Sequence, residues 1–301
     1  MKDSLLTAII LTKNEKLHIA RCIESLRASV SRVVVVDSFS SDETVELAKA
    51  AGAEVYQRAF HNYADQFNWA LDNCGIVSDW TMRIDADEYI DPQLAAAIAT
   101  QLPMFPKTVT GAAVTRYITF AGRIIRHGGV SPQHLLKIWR TNLGRIESRW
   151  MDEHTVVSHG EIAQLPGALI DDNRKDVSFW IDKHNRYAIR EMIDFLNAEH
   201  RFYREDDSLA TTGEAKAKRF KKQSLYNRAP LLYRAFALFL YRYVFRLGFL
   251  DGTAGLSFNL FQTLWYRYLV DLKIIEARKL IARSGIEEFK RELKEAHGFE
   301  L

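Results

Sequence analysis

The sequence predicts an α/β fold built on a mostly parallel sheet, and three observations lead there. Four short runs rich in β-branched or aromatic residues, Leu6-Thr-Ala-Ile-Ile-Leu11, Arg32-Val-Val-Val-Val-Asp37, Ala53-Glu-Val-Tyr56 and Trp80-Thr-Met-Arg-Ile84, have the length and composition of strands. The segments between them carry helical periodicity, which is the βαβ signature. The fourth run then ends in three carboxylates within four residues, Asp85-Ala-Asp87-Glu88. In open α/β sheets ligands bind at the carboxyl ends of strands, so that ending marks a candidate site.

Element by element, Asn14 is placed to cap a helix carrying Ile19, Cys22, Ile23 and Leu26, and Ser40-Ser-Asp-Glu43 reads as a capping box opening the helix through Thr44, Leu47 and Ala48. Thr12, Asn14 and Glu15 then follow the first strand, Asp37, Ser38 and Ser40 the second, and Asp85 to Glu88 the fourth. Each has an ordinary alternative in turn or cap chemistry. The acidic cluster likewise could be the acidic first turn of a helix before Pro92. Against that stands the cost of carboxylates at the end of a buried strand unless a cation neutralises them. Mg²⁺ or Mn²⁺ carrying a phosphorylated ligand is the simplest such cation, since these ions take one or two carboxylates and complete their shell with phosphate oxygens and water. Asp37, after four valines, could accept hydrogen bonds from a ribose or base.

Composition sets bounds. The chain of 301 residues suits one large domain or a core with an appendage, and its formal charge of +3 is too small to imply nucleic-acid binding. Two cysteines, Cys22 and Cys74, give no disulfide scaffold and fit a reducing compartment. Met1-Lys2-Asp3-Ser4 leads into the first strand without a signal-peptide pattern, so a cytoplasmic location is expected.

Several blocks in this order resemble the family 2 glycosyltransferases of the GT-A, Rossmann-like fold: Ala8-Ile-Ile-Leu-Thr-Lys-Asn-Glu15, Val33-Val-Val-Val-Asp-Ser-Phe-Ser-Ser-Asp-Glu-Thr44 and Arg83-Ile-Asp-Ala-Asp-Glu88. Phe60-His-Asn-Tyr-Ala-Asp-Gln-Phe-Asn-Trp-Ala-Leu71 is similar to the bacterial lipopolysaccharide-core and exopolysaccharide enzymes of that family. The resemblance implies an inverting, metal-dependent transferase acting on a nucleotide-sugar donor, uridine-linked by expectation, and a lipid-linked or lipopolysaccharide glycan acceptor. It implies that Thr12, Asn14, Glu15 and Asp37, with Ser38, line the nucleoside pocket. Asp87 is the expected direct metal ligand and Asp85 meets the ribose or a metal-bound water. Gln66 and Asn68 lie two apart on one helix, so at most one reaches the donor, and Gln66 is taken.

Downstream, Ala112 to Phe120 and Gly122 to Arg126 read as a hairpin turning at Ala121-Gly122. Arg149-Trp-Met-Asp-Glu-His-Thr-Val-Val157 falls where the family places its catalytic base. Glu153 is the expected base and Asp152 the alternative, because the family's histidine precedes the glutamate whereas here His154 follows it. A long helix is expected from Ser178, its predicted cap, and His184 on that helix is a candidate for the metal or for the core. The expected division is a catalytic domain over 1–177 and a helical extension over 178–301, with interfacial helices at about 229–280. There, aromatic and aliphatic residues alternate with Arg234, Arg242, Arg246 and Arg267, a pattern suited to the inner face of the cytoplasmic membrane, with packing against the core or a second protomer as the alternative. Two other readings belong to other classes. A sugar-phosphate nucleotidyltransferase would need a Gly-rich loop after the first strand, which Thr12-Lys-Asn-Glu15 does not supply, and a non-catalytic membrane-docking scaffold would keep the fold alone.

Overall fold

The computed structural model describes residues 5–147, 154–202 and 226–299, and the chain divides into two compact units, Met1–Ser148 with Glu153–Lys175, and Arg149–Asp152 with Asp176–Leu301.

In the first unit β1 (Leu6–Thr12), β2 (Arg32–Asp37), β3 (Glu54–Gln57) and β4 (Trp80–Arg83) form the predicted parallel block. α1 (Ile19–Leu26) buries Ile19, Cys22, Ile23 and Leu26 against it. Each such apolar side chain contributes about 1.5–3 kcal/mol. α2 (Thr44–Ala50) follows β2, and α3 (Tyr63–Asn73) packs Ala64, Phe67 and Ala70 onto Ile9, Val34 and Val36. After β4 the chain turns through Asp85–Asp87 into β5 (Glu88–Ile90) and α4 (Pro92–Gln101), with Asp91 capping Leu94 N–H. The acidic cluster is therefore a strand-to-strand turn, and a strand separates it from the helix at Pro92.

β6 (Val109–Phe120), β7 (Arg123–Ile125), β8 (Gln133–Arg140) and β11 (Glu161–Asp171) complete the sheet, whose order is β3-β2-β1-β4-β8-β6-β11-β5 with β7 on β6. Positive φ at Ala121 (50°) and Gly122 (74°) makes the β6–β7 turn as expected. β5 follows β4 in sequence yet pairs with β11, so β8, β6 and β11 lie between them in the sheet. β9 (Gly144–Ile146) and β10 (Thr155–Val157) form a separate hairpin.

Three expected caps differ. Asn14 adopts φ 56° and turns away from α1 to accept from Ser41 N–H at 2.8 Å. No capping box forms at α2, where Asp42 accepts from Thr44 N–H at 3.1 Å. The long helix α5 (Val177–His200) is capped by Asp176, two residues before Ser178.

The second unit packs α5 against α8 (Tyr266–Ser284) and α9 (Ile286–His297) around Ile189, Ile193, Leu196, Val270, Ile274 and Phe289. Between them α6 (Tyr233–Leu240) continues into a π turn (Tyr241–Phe245), a short 3₁₀ segment (Gly248–Asp251) reverses the chain, and α7 (Gly252–Phe258) runs through a second π turn (Asn259–Trp265) into α8. Among the described residues no helix is long and apolar enough to cross a membrane.

Candidate active site

The ends of β1, β2 and β4 converge as the sequence indicates, but the side chains divide the work differently. Asp37 is fully buried, and its carboxylate accepts from Thr12 Oγ1 at 3.1 Å, Ser40 N–H at 2.8 Å, Gln57 Nε2 at 3.1 Å and the Ser40 hydroxyl. A carboxylate offers about four acceptor sites, so these bonds fill it. A nucleoside contact at Asp37 has to displace one of them. Lys13 Nζ donates to the Ser38 and Phe39 carbonyls, both at 2.7 Å, which holds Phe39 at φ 56° with its ring exposed. A bulky residue in that region is strained, and strain of this kind collects at functional sites. Gln66, fully buried, donates to Ser38 Oγ at 3.3 Å and the Arg58 carbonyl at 3.1 Å.

Glu15 is tied to the far end of the unit: Lys175 Nζ lies 2.6 Å from Oε1 and His18 Nδ1 2.6 Å from Oε2. His18 Nε2 accepts from Arg174 N–H at 2.8 Å, so Nδ1 carries the proton that goes to Glu15. Segment 171–175 thereby lies across the strand ends. Asp172, which binds Arg21 and accepts from Thr119 Oγ1 at 2.6 Å, is held below the usual carboxylate range: burial opposes ionisation, and these partners outweigh it.

At the acidic turn the three carboxylates have different partners. Glu88 is buried and meets Lys137 Nζ at 2.7 and 3.0 Å, Arg116 Nε at 3.2 Å and the Asp85 N–H at 3.0 Å. Burial pushes its pKa up, against the pull of Lys137. Asp85 accepts from Tyr63 Oη at 2.9 Å and lies 3.5 Å from Lys137 Nζ. Burial works against its charge too, but Lys137 and Arg83 outweigh it and hold the carboxyl well below the ordinary range. Topology explains the cations: β8 and β6, two of the three strands lying between β4 and β5 in the sheet, carry Lys137 and Arg116. The expectation that Mg²⁺ or Mn²⁺ is the simplest cation to offset the cluster is narrowed, since Lys137 and Arg116 already face Asp85 and Glu88.

Asp87 is partly exposed. Its Oδ2 accepts from Asn173 Nδ2 at 3.0 Å, and Oδ1 takes no hydrogen bond from a described residue. A partly exposed carboxylate at a strand end fits Mg²⁺ or Mn²⁺, which needs one or two such ligands beside phosphate and water. No cluster of three or more His, Cys, Asp or Glu that could cage a metal occurs among the described residues. His184 stands in the helical unit, stacked on Trp180 at 3.5 Å, with Nδ1 donating to the Trp180 carbonyl at 2.9 Å; burial lowers its pKa to about 4.

Asp152 and Glu153 lie outside the described residues. Among the described residues on either side, Glu147 N–H donates to the His154 carbonyl at 3.0 Å across the β9–β10 pair. Asn68 pairs with both backbone groups of Ile146, at 2.8 and 3.1 Å, and so anchors that hairpin to α3. Sequence reasoning missed Lys13, His18, Tyr63, Arg116, Lys137 and Asn173. Only for Lys13 and Tyr63 was there a signal, since both lie inside the blocks quoted above.

Comparison with known proteins agrees with this arrangement. Residues 7–147 match the family model for Glycosyl transferase family 2. An uncharacterized glycosyltransferase of Rickettsia felis is 43% identical over 89 residues, a match that spans 30% of this chain and only 31% of that relative. The lipopolysaccharide core biosynthesis glycosyltransferase LpsC of Rhizobium meliloti is 28% identical over 189 residues, covering 61% of this chain and 68% of LpsC. Among solved structures, the mannosyltransferase PcManGT from Pyrobaculum calidifontis, in complex with GDP-Man and Mn²⁺, shares the fold with a TM-score of 0.51 over 91% of this chain and 88% of its own, at 15% identity. Motifs and family match together make residues 7–147 of this chain similar to the family 2 glycosyltransferases.

Proposed function

We propose that the chain is an inverting, divalent-metal-dependent glycosyltransferase that moves a sugar from a nucleoside-diphosphate donor, uridine-linked in this reading, to a lipid-linked or lipopolysaccharide-core or exopolysaccharide acceptor. One observation carries the reading. Of the three clustered carboxylates, Asp85 and Glu88 meet Lys137, Arg116 and Tyr63, whereas Asp87 Oδ1 takes no hydrogen bond from a described residue. The relatives named above support the transferase class, and LpsC by its name supports a lipopolysaccharide acceptor.

In this reading Asp87 holds Mg²⁺ or Mn²⁺, which supplies Lewis-acid stabilisation of the departing diphosphate without a proton. Asp85, ionised by its cationic surroundings and fixed by Tyr63, orients the ribose or a metal-bound water. Thr12, Asn14, Ser38 and Asp37 shape the nucleoside end, and Lys13 and Gln66 set that loop from below. Glu153, or Asp152, takes the acceptor hydroxyl's proton as the new bond forms on the face opposite the diphosphate. Asn68 holds β9 of the β9–β10 hairpin through the backbone of Ile146. A scaffold without catalysis gives Asp87 no task, and Thr12-Lys-Asn-Glu15 does not supply the Gly-rich phosphate loop that a nucleotidyltransferase needs.

The test is Mn²⁺-dependent hydrolysis and transfer across a panel of nucleotide sugars, wild type against Asp87→Asn. Loss of about a hundredfold or more in kcat is expected, with the unfolding midpoint unchanged because Asn still accepts from Asn173. Unaltered turnover in Asp87→Asn sinks the metal-site reading.

A further inference from the structure

The helical unit contains an amphipathic helix turned inside out. From Tyr233 to Phe245 the outward positions are Tyr233, Phe236, Leu240, Tyr241, Val244 and Phe245, at steps of three, four or one, with Ala237 between them. Tyr233 is 77% and Phe245 75% exposed, and no charged residue stands on that face. Polar groups point inward instead. Arg234, 4% exposed, pairs with the fully buried Asp271, its Nε at 2.8 Å, and Arg242 reaches Thr263 Oγ1 at 3.4 Å. Exposed apolar residues continue through Leu247, Phe249 and Leu250 and onto the second limb at Leu256 and Leu260, while Asn259 and Thr263 are buried there. A surface helix in water shows the opposite arrangement. An apolar face of this continuity marks an interaction surface.

The face is also preformed. A Cβ on Gly248 would stand 2.7 Å from Asn259 Nδ2, and one on Gly255 2.3 Å from the Gly248 carbonyl oxygen. The limbs thus cross in backbone contact, and Asn259 Nδ2 adds a bond to the Gly255 carbonyl at 2.8 Å. Turning the apolar row inward would require breaking that crossing together with the Arg234–Asp271 pair.

We propose that residues 233–260 form a wedge that lies in the plane of an anionic lipid bilayer, apolar face in the acyl boundary and Arg246 at the headgroup phosphates. Thirteen helical residues from Tyr233 extend about 20 Å, short of the roughly 30 Å hydrocarbon core, so the wedge lies in one leaflet. Charge selects the partner. Between Tyr226 and Trp265, with Arg234 neutralised by Asp271, Arg228, Arg242 and Arg246 stand against one acid, Asp251. A second copy meeting this face would add like charge without counter-charge, whereas anionic headgroups supply it. This corrects the expectation that all four tail arginines snorkel: Arg234 and Arg267 are taken by Asp271 and Glu191, which leaves Arg246 as the exposed cation of the wedge. The inference goes beyond the transfer reading and does not depend on it.

The experiment is flotation of the full chain with phosphatidylcholine vesicles, with and without phosphatidylglycerol, alongside light scattering for oligomeric state. Wild type should float with the anionic vesicles and at least about tenfold less with neutral ones. Leu240→Asp with Phe245→Asp should lose about tenfold or more of that binding with an unchanged unfolding curve, and Arg246→Glu should lose the anionic preference. Leu240→Ser, at a position 54% exposed, reports the same direction should the double variant not fold. Absence of wild-type flotation, undiminished flotation of the folded double variant, or a vesicle-indifferent dimer that the double variant dissolves would each overturn the proposal.

Discussion

Replacing Lys137 by Met removes the cation that Asp85 and Glu88 share while keeping the side chain's length. Lys137 is 4% exposed, 2.7 Å from Glu88 and 3.5 Å from Asp85. Deleting one partner of a buried ion pair costs about 3–5 kcal/mol. Arg116 remains at 3.2 Å from Glu88, and Glu88 can take a proton, so the expected loss near neutral pH is about 2–3 kcal/mol. The pH dependence has a definite sign. Glu88 has a raised folded pKa, so its contribution is fully present below the unfolded pKa and fades as pH rises through the folded one. Asp85, with a lowered folded pKa, contributes above its unfolded pKa and loses that as pH falls through the folded one. Removing Lys137 moves both pKa values upward. The variant's deficit should therefore be largest near neutrality and shrink towards the ordinary carboxyl range of about 4. Urea unfolding of both proteins across that range measures it, and Lys137→Met with Glu88→Gln should recover more than half of the loss. A deficit under about 1 kcal/mol at neutral pH, or one indifferent to pH, refutes the assignment of Lys137 as the cluster's counter-charge.

Other consequences can be checked separately. Asn68→Leu leaves both backbone groups of buried Ile146 unpaired, which should cost about 1–3 kcal/mol and lower kcat with the donor KM unchanged; a fall in donor affinity instead would put Asn68 at the donor. Gly167→Ala should destabilise by about 2 kcal/mol or more, because φ is 94° and a Cβ there meets Leu94 N at 2.2 Å; an unchanged melting temperature contradicts that packing. Burial raises the Cys74 thiol to about 11 and Cys22 well above its usual value, so a thiol reagent at pH 8 should label neither until the chain is unfolded.

Local chemistry was legible where it is local in sequence. The strands β1, β2 and β4, the Asp85–Asp87 turn and the Ala121-Gly122 hairpin could be read because composition, periodicity and turn residues lie within a few positions of one another. The caps were less so: Asn14 and Ser40 had the right chemistry for helix starts, but Asn14 bonds to Ser41 and Ser40 to Asp37 across and within the converging loops. Side chains of this type compete between local and distant backbone partners, and tertiary contact decided the outcome.

By itself, then, the sequence determined an α/β sheet with carboxylates at its carboxyl edge, in an order that resembles family 2 glycosyltransferases. Only the tertiary structure decided what each carboxylate does. Lys137 and Arg116, distant in sequence, reach Glu88 because the chain crosses from β4 to β5 over strands formed later, and burial then makes their charge decisive. The same holds for the tail, where composition allowed several partners. The inward turn of Arg234 and Arg242 is what leaves an apolar face outside.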